Sequence, residues 1–577
     1  MKKKHRNQLI SRLLAMCLAA VMMLSMGITA SAALTENSTY NFTVSGFDTT
    51  TSAPTVTAYQ IIKVNIDDVT GQPEYPMYTW AGPVADWLKK NKTYEKYIDT
   101  DLGENAVADV FKDAQAADMT KFLEELAAAI KDNTANAFDS LVKKDVSASN
   151  GTASFPDMAM GEYLIIASGG VKIYKPTTVK LVPEYDKTKN EWGVGDAVVA
   201  GGGAAAQVKG SAPQIEKTVL KNGSSNTADR TTAIGDTVTF KLAADVPDYP
   251  EGAKNKTFII SDTVGTGLEY IENSIKVYSD ETLNTEKEVS PDKYYDVKTD
   301  WSVPDQPGTT RTFAIEFNDT FFEEYSAYPK VYVTYDAKVT SDAFKNNTNG
   351  VLNNDAYLGY SNNPYDKDSY TEGKDSKTVY TYAINLTKVD TNGDGITGIA
   401  KFELKNSKNE TLYFTGSNGV YYKYDSSNDA STQGATKDLT TSSTGTLKLQ
   451  GLDAGIYTLT ETEAPDGYVL PNGSIKIEIE DANESGGPDG TIDRVKGGNV
   501  EASGGAEIYV AEGAQGDGVT INYTTISFEV VNKTADQGAF TLPVTGGAGT
   551  VIFTMAGILL MGGAVALLVV VLRRKRS

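Results

Sequence analysis

The sequence predicts a mainly β protein of tandem Ig-like sandwich domains, the first with a helical insertion, held between two terminal segments that are not part of the fold. Short alternating runs carry the first part of this reading: Val238-Thr239-Phe240-Lys241-Leu242, Val331-Tyr332-Val333-Thr334-Tyr335 and Ile526-Ser527-Phe528-Glu529-Val530. Alternation of period two, rich in Thr, Val and Tyr and broken by Gly, Asn and Asp turns, is the pattern of antiparallel strands with one buried face. The stretch between the termini, about 500 residues, is too long for one core and divides into three domains of ordinary size. Helical spacing is confined to the first of them, where Met119, Phe122, Leu123, Leu126 and Ile130 form one apolar stripe after an Asp118 N-cap, with a second helix over residues 84–97.

Taken in order, residues 1–32 read as a removable signal peptide. Lys2, Lys3, Lys4, Arg6 and Arg12 precede an apolar run over residues 13–28, which ends in Ala30-Ser31-Ala32. A first domain over residues 33–205 closes at the glycine-rich stretch Gly201-Gly202-Gly203-Ala204-Ala205-Ala206. A second domain over 206–381 ends in the polar residues 362–377, and a third over 382–535 ends at Ala535-Asp536-Gln537-Gly538. Residues 536–577 then hold an apolar span, 551–572, long enough to cross a bilayer as a transmembrane helix, and the basic tail Arg573-Arg574-Lys575-Arg576. Basic residues stay on the cytoplasmic side, so everything before the span is outside.

Composition removes several classes of function. The only cysteine, Cys17, and the only histidine, His5, lie in the signal segment. Disulfides, thiol nucleophiles, Cys/His metal sites and Ser-His catalysis are therefore absent from the exported chain by inventory, and no metal or cofactor is expected. Of the 53 Lys and Arg, five lie in residues 1–32 and four in the tail, which leaves 44 against 75 Asp and Glu and a net charge of −31. That charge argues against nucleic acid as a partner. Asp390-Thr391-Asn392-Gly393-Asp394-Gly395 imitates the start of a calcium loop, but its twelfth position is Lys401 where a bidentate Glu is required, so it reads as a turn. The acidic run 480–484, followed by Gly486-Gly487-Pro488, reads as a solvated connection. No pair of carboxylates is arranged as a hydrolase would need.

Leu542-Pro543-Val544-Thr545-Gly546, then the apolar span, then the basic tail, resembles a cell-wall sorting signal of the LPXTG type. The resemblance implies that a membrane sortase cleaves between Thr545 and Gly546 and passes the Thr545 acyl group to an amine. The product is anchored to peptidoglycan, with membrane contact only before sorting. The third domain carries a second likeness: Tyr457-Thr458-Leu459-Thr460-Glu461-Thr462-Glu463-Ala464-Pro465-Asp466-Gly467-Tyr468 is similar to the E-box of CnaB-type pilin domains, with Leu386-Thr387-Lys388-Val389-Asp390 opening the domain and Val530-Val531-Asn532 closing it. The second domain resembles the D2 module of fimbrial proteins through Ile215-Glu216-Lys217-Thr218-Val219, Ile260-Ser261-Asp262-Thr263 and Asn354-Asp355-Ala356.

These likenesses imply intramolecular isopeptide bonds, formed when a Lys amine displaces ammonia from an Asn carboxamide while a neighbouring acid handles the protons. The residues implied are Lys217 and Asn354 with Asp262, and Lys388 and Asn532 with Glu461. Strand parity agrees. Lys217 alternates with Ile215 and Val219, Asp262 with Phe258 and Ile260, and Asn354 with Leu352, Ala356 and Leu358, whereas Asn353 turns outward. Lys388, Glu461 and Asn532 share faces with Ile384 and Leu386, with Tyr457 and Leu459, and with Phe528 and Val530.

The resemblance further implies a structural pilus subunit whose partners are the sortase, peptidoglycan and identical or accessory subunits. Its only chemistry is self-crosslinking. A wall-anchored adhesin or tip subunit that binds a host or matrix ligand through the first domain stays open as the alternative. Major pilins of the family carry a WxxxVxVYPK motif before the second domain. Here Trp192 and Val198-Val199 match its early positions, but Tyr-Pro-Lys is missing. Lys209 is the nearest candidate for the polymerising lysine, with Lys187 and Lys189 as alternatives.

Overall fold

The computed structural model describes residues 34–187, 191–194, 204–221, 224–225, 230–325, 327–346, 348–424, 434–481, 487–492, 500–502, 507–509 and 519–534. The signal segment, Lys189, the sorting motif Leu542 to Gly546, the apolar span and the basic tail lie outside them. What is described is three β-sandwiches in a row.

The first is built in three layers. A small sheet of Ala204–Gln207, Thr39–Ser45 and Thr152–Ala159 covers one face of a larger sheet made of Gln72–Trp80, Thr55–Asp67, Gly161–Ser168, Thr177–Leu181 and Lys143–Ser147. Helices cover the other face, so the central strands are buried on both sides and lose the simple alternation of a half-exposed sheet. Val56, Ala58, Tyr163 and Ile165 point to the small sheet, whereas Tyr59, Ile61, Leu164 and Ile166 point to the helices. Phe122, on the helix Ala116–Asp132, sits with its ring centroid 5.2 to 6.0 Å from those of Tyr94, Tyr97, Phe111 and Trp80.

Both predicted helices are displaced at their ends. The first runs Gly82–Lys90, with Pro83 in its opening turn, and stops at Asn91; residues 95–97 form a separate 3₁₀ turn. The second begins at Ala116 after Gln115, so Asp118 is not the cap but an acid of the first turn, where it complements the helix dipole.

The alanines that end the glycine-rich stretch, Ala204, Ala205 and Ala206, are not part of a joint; Gly201 to Gly203 lie outside the described residues. Ala204–Gln207 runs parallel to Thr39–Ser45 in the first domain, and Lys209–Ser211 pairs with Ile173–Lys175, so the chain enters the second sandwich only at residues 212–214. That sandwich packs a sheet of Ile215–Lys221, Thr237–Asp245, Lys330–Val339 and three short strands against a sheet of Tyr295–Ser302, Thr310–Phe317, Phe258–Val264, Val351–Tyr360 and Thr371–Tyr380.

The polar residues 362–377 do not simply close this domain either. Their second half begins Thr371–Tyr380, a strand registered along all of Val351–Tyr360. Their first half lies on the first domain: the Asn362 side chain donates to the Gly170 carbonyl at 2.6 Å, and Tyr365 packs on the helical cluster.

The third sandwich follows after one residue, Thr381, whose side chain donates to the Leu452 carbonyl. Its larger sheet sets Tyr382–Val389 between Thr446–Leu452 and Thr525–Val531, the last of these running parallel. The facing sheet holds Leu439–Thr440, Lys401–Asn406, Gly455–Glu463, Ile475–Ile479 and Val500–Ala502. The acidic run after it is not wholly solvated. Asp481 is buried and accepts from the Tyr382 hydroxyl at 2.8 Å and from the backbone of Asp489 and Gly490, with burial raising its pKa.

Candidate functional site

In the second domain four polar side chains meet between the sheets. Lys217 comes from Ile215–Lys221 and Tyr335 from Lys330–Val339 on one side; Asp262 comes from Phe258–Val264 and Asn354 from Val351–Tyr360 on the other. Alternation drives each of them inward. Ile215 and Val219 flank Lys217, Ile260 precedes Asp262, and Leu352 and Ala356 flank Asn354, all in the same core. Lys217, Asp262 and Asn354 are each 0% exposed.

Lys217 Nζ donates to Asp262 Oδ2 at 2.6 Å and to the Tyr335 hydroxyl at 2.9 Å, and Asn354 Nδ2 donates to the same hydroxyl at 2.8 Å. The ammonium also lies over the Phe240 ring, 4.9 Å from its centroid. Asp262 Oδ1 and Asn354 Oδ1 are buried with no hydrogen-bond partner among the described residues.

Burial reshapes the acid and base. Loss of solvent pulls Lys217 down to about 8 against the opposing attraction of Asp262, and pushes Asp262 up to about 6 against the pull of Lys217 and Tyr335. The two shifts draw the amine and the carboxylate together, so passing the proton from one to the other costs far less than for the two groups in water. A neutral amine, the nucleophilic form, comes within reach.

The third domain repeats the theme with other geometry. Lys388 on Tyr382–Val389 and Asn532, just past Thr525–Val531, belong to adjacent parallel strands, while Glu461 faces them from Gly455–Glu463. The Glu461 carboxylate bridges the pair: Lys388 Nζ donates to Oε2 at 2.7 Å and Asn532 Nδ2 to Oε1 at 2.9 Å. Asn532 Nδ2 also reaches the Val469 carbonyl at 3.0 Å, and its Oδ1 has no partner among the described residues. Desolvation lowers the Lys388 pKa, partly offset by Glu461. In both domains the fold holds a weakened ammonium, an acid and a carboxamide together away from water, which is the arrangement amide transfer requires.

Asn353 is exposed and accepts from the Thr378 hydroxyl. Lys209 is exposed and lines an open groove with Met119, Leu123, Lys175 and Asp248 at the joint of the first two domains. Lys187 is exposed in a turn. The calcium-like loop is a turn in which Asp390 accepts from the backbone of Asn392 and Asp394, and no group of three possible metal ligands occurs among the described residues. Sequence reading does not single out Tyr335. Its one signal is its parity with Val331 and Val333, which marks it as core without marking it as polar machinery.

Residues 382–487 match the prealbumin-like fold domain of the SpaA family, and residues 535–577 match the LPXTG cell wall anchor motif. Together with the tandem sandwiches these define the class: a cell-wall-anchored surface protein built from pilin-type domains. Among individual proteins, the chain is similar to the trypsin-resistant surface T6 protein of Streptococcus pyogenes serotype M6, with 24% identity over 350 residues. That match spans 57% of each protein, so the chain aligns with little more than half of the relative's length. In structure it is similar to the T6 backbone pilin of the same serotype, a modular three-domain protein, with 20% identity and a TM-score of 0.50 over 87% of this chain and 99% of that one. The major pilin SpaD of Corynebacterium diphtheriae gives 17% identity and a TM-score of 0.40 over 87% and 98%. At 20% identity the likeness to the T6 backbone pilin concerns the fold.

Proposed function

We propose that the chain is a backbone subunit of a sortase-polymerised pilus anchored to the cell wall, and that its second and third domains are each stapled by a Lys-Asn isopeptide bond. The staples are Lys217 to Asn354, served by Asp262, and Lys388 to Asn532, served by Glu461. The observation that carries the reading is the recurrence, in two successive sandwiches, of a buried Lys, acid and Asn in one hydrogen-bonded cluster, joined through Tyr335 in the second domain and through Glu461 in the third. An exported chain whose one cysteine, Cys17, stays behind in the signal segment has no disulfide with which to lock its domains, and a Lys-Asn amide supplies that lock. The LPXTG anchor implies a sortase and peptidoglycan as partners, and the likeness to a backbone pilin supports polymerisation of this subunit onto copies of itself.

The Thr545 acyl group is taken by a lysine of the neighbouring subunit. We assign that role to Lys209, which is exposed and lies beside an open groove. The test has two parts. Intact mass of the ectodomain, residues 33–541, should fall short of the sequence mass by two ammonia molecules, with one restored by Lys217→Ala and one by Lys388→Ala. Wall extracts should show a ladder of high-mass species that disappears with Lys209→Ala. An undiminished mass in folded protein sinks the staples, and an unchanged ladder sinks Lys209.

A further inference from the structure

The second domain contains a group that its counterpart in the third lacks. Tyr335 is wholly buried, and its oxygen is the one atom hydrogen-bonded to both Lys217 Nζ and Asn354 Nδ2. In the third domain the Glu461 carboxylate itself touches both reacting groups, and no tyrosine hydroxyl joins Lys388 to Asn532 among the described contacts. Asp262, by contrast, bonds to the amine but not to Asn354, which is linked to it only through Tyr335.

We propose that Tyr335 is a catalytic residue of bond formation in the second domain, donating its phenol proton to the carboxamide oxygen of Asn354 as the Lys217 amine attacks. The inference rests on the isopeptide reading above and adds to it a group that stabilises the transition state. Half a turn of the Asn354 carboxamide sets Oδ1 at the hydrogen-bonding distance from Tyr335 that Nδ2 now occupies. The turn exchanges the hydrogen bond that Nδ2 gives the hydroxyl for one that Oδ1 accepts from it, and Oδ1 gives up no hydrogen bond where it stands. A buried phenol, whose pKa burial raises further, keeps its proton to donate.

The bookkeeping of the reaction closes. Lys217 passes a proton to Asp262 and its neutral nitrogen forms a bond to the Asn354 side-chain carbonyl carbon. The electron pair displaced onto Oδ1 is held by the Tyr335 O–H. Asp262, now the acid, protonates Nδ2, the carbon–nitrogen bond breaks and ammonia leaves. The new secondary nitrogen gives its surplus proton back to Asp262, which ends as the carboxylic acid. A preorganised donor aimed at a developing oxyanion in a dry site is worth about 100-fold or more in rate.

The experiment is time-resolved intact mass of the ectodomain, residues 33–541, made by cell-free translation as wild type and as Tyr335→Phe. The wild type should lose two ammonia molecules. The Tyr335→Phe chain should lose the one from the third domain at the wild-type rate, which shows that the chain has folded there, and the one from the second domain at least about 100-fold more slowly. Site-specific 3,5-difluorotyrosine at position 335 keeps the ring and hydroxyl, so it guards against a mere packing defect. It should restore ammonia loss from the second domain to within about tenfold of the wild-type rate. Loss of both ammonia molecules from Tyr335→Phe at wild-type rates overturns the proposal alone, as does a fluorinated chain as slow as Tyr335→Phe. A wild-type chain that loses none overturns the isopeptide reading and this proposal with it.

Discussion

Replacing Lys388 by Met and Glu461 by Gln together removes the third domain's crosslink without leaving a lone buried charge behind. Either change alone would strand its partner, since Lys388 is 0% exposed and Glu461 nearly so, and an uncompensated buried charge costs about 3–5 kcal/mol by itself. The double change isolates the covalent contribution. A bond from residue 388 to residue 532 closes a loop of about 145 residues, and the chain-entropy relation for such a loop gives about 5 kcal/mol of stabilisation, drawn from the unfolded state. For a domain of about 150 residues, with the usual unfolding entropy per residue, that corresponds to a fall of about 15 °C in Tm. Differential scanning calorimetry of the ectodomain reads the transition, and intact mass on the same sample shows one ammonia loss in place of two. A variant that has kept one ammonia more than the wild type yet melts at the wild-type temperature would refute the claim that the bond staples the domain.

Three further outcomes follow from particular groups. In the second domain Asp262 is raised to about 6 and Lys217 lowered to about 8, so between those values the pair holds one shared proton. The rate of ammonia loss there should be flat from about pH 6 to 8, fall in acid as both groups protonate and the amine is lost, and fall in alkali as both deprotonate and the acid is lost; time-resolved mass across pH checks this, and a monotonic profile contradicts it. Gly451 has φ of +89°, and a Cβ there would stand 2.2 Å from Ile234 Cδ1, whose backbone N–H donates to the Gly451 carbonyl. Gly451→Ala should therefore loosen the joint between the second and third domains and broaden the interdomain distance distribution measured between spin labels, with both ammonia losses intact. Asp481→Ala leaves the Tyr382 hydroxyl and two backbone N–H groups without their acceptor and should cost the third domain about 2–3 kcal/mol, read by calorimetry.

Much of the fold is legible in the sequence because strands with one buried face declare themselves by parity. The same rule aims Lys217, Asp262 and Asn354 inward from the residue pattern alone, and turns Asn353 out. Parity fails where neighbouring structure changes the rule. Thr55–Asp67 is buried on both faces because helices cover what a simple sandwich would expose. The glycine-rich segment has the composition of a joint, but the alanines after it pair through their backbone as an edge strand beside Thr39–Ser45, which side-chain pattern does not announce. Asp481 reads as solvated inside an acidic run, since nothing local announces a tyrosine hydroxyl arriving from residue 382. Tyr335 is hidden for a related reason. Its ring suits a core position, and only the juxtaposition of two sheets gives its oxygen something to do.

The single residue between the second and third sandwiches fixes how the two move together, with a consequence for any fibre of the kind proposed above. Tyr380 ends one domain's last strand and Tyr382 opens the next domain's first, so the connection has only the two backbone dihedrals of Thr381 to vary. Thr381 is itself buried, its N–H donates to the Gly350 carbonyl in the second domain, and its hydroxyl donates to the Leu452 carbonyl in the third. Such a joint has no slack, so torque applied to one sandwich passes directly to the other. The two domains form one stiff segment, and in a filament of the kind proposed above the angle fixed at Thr381 would add a constant increment of twist per subunit.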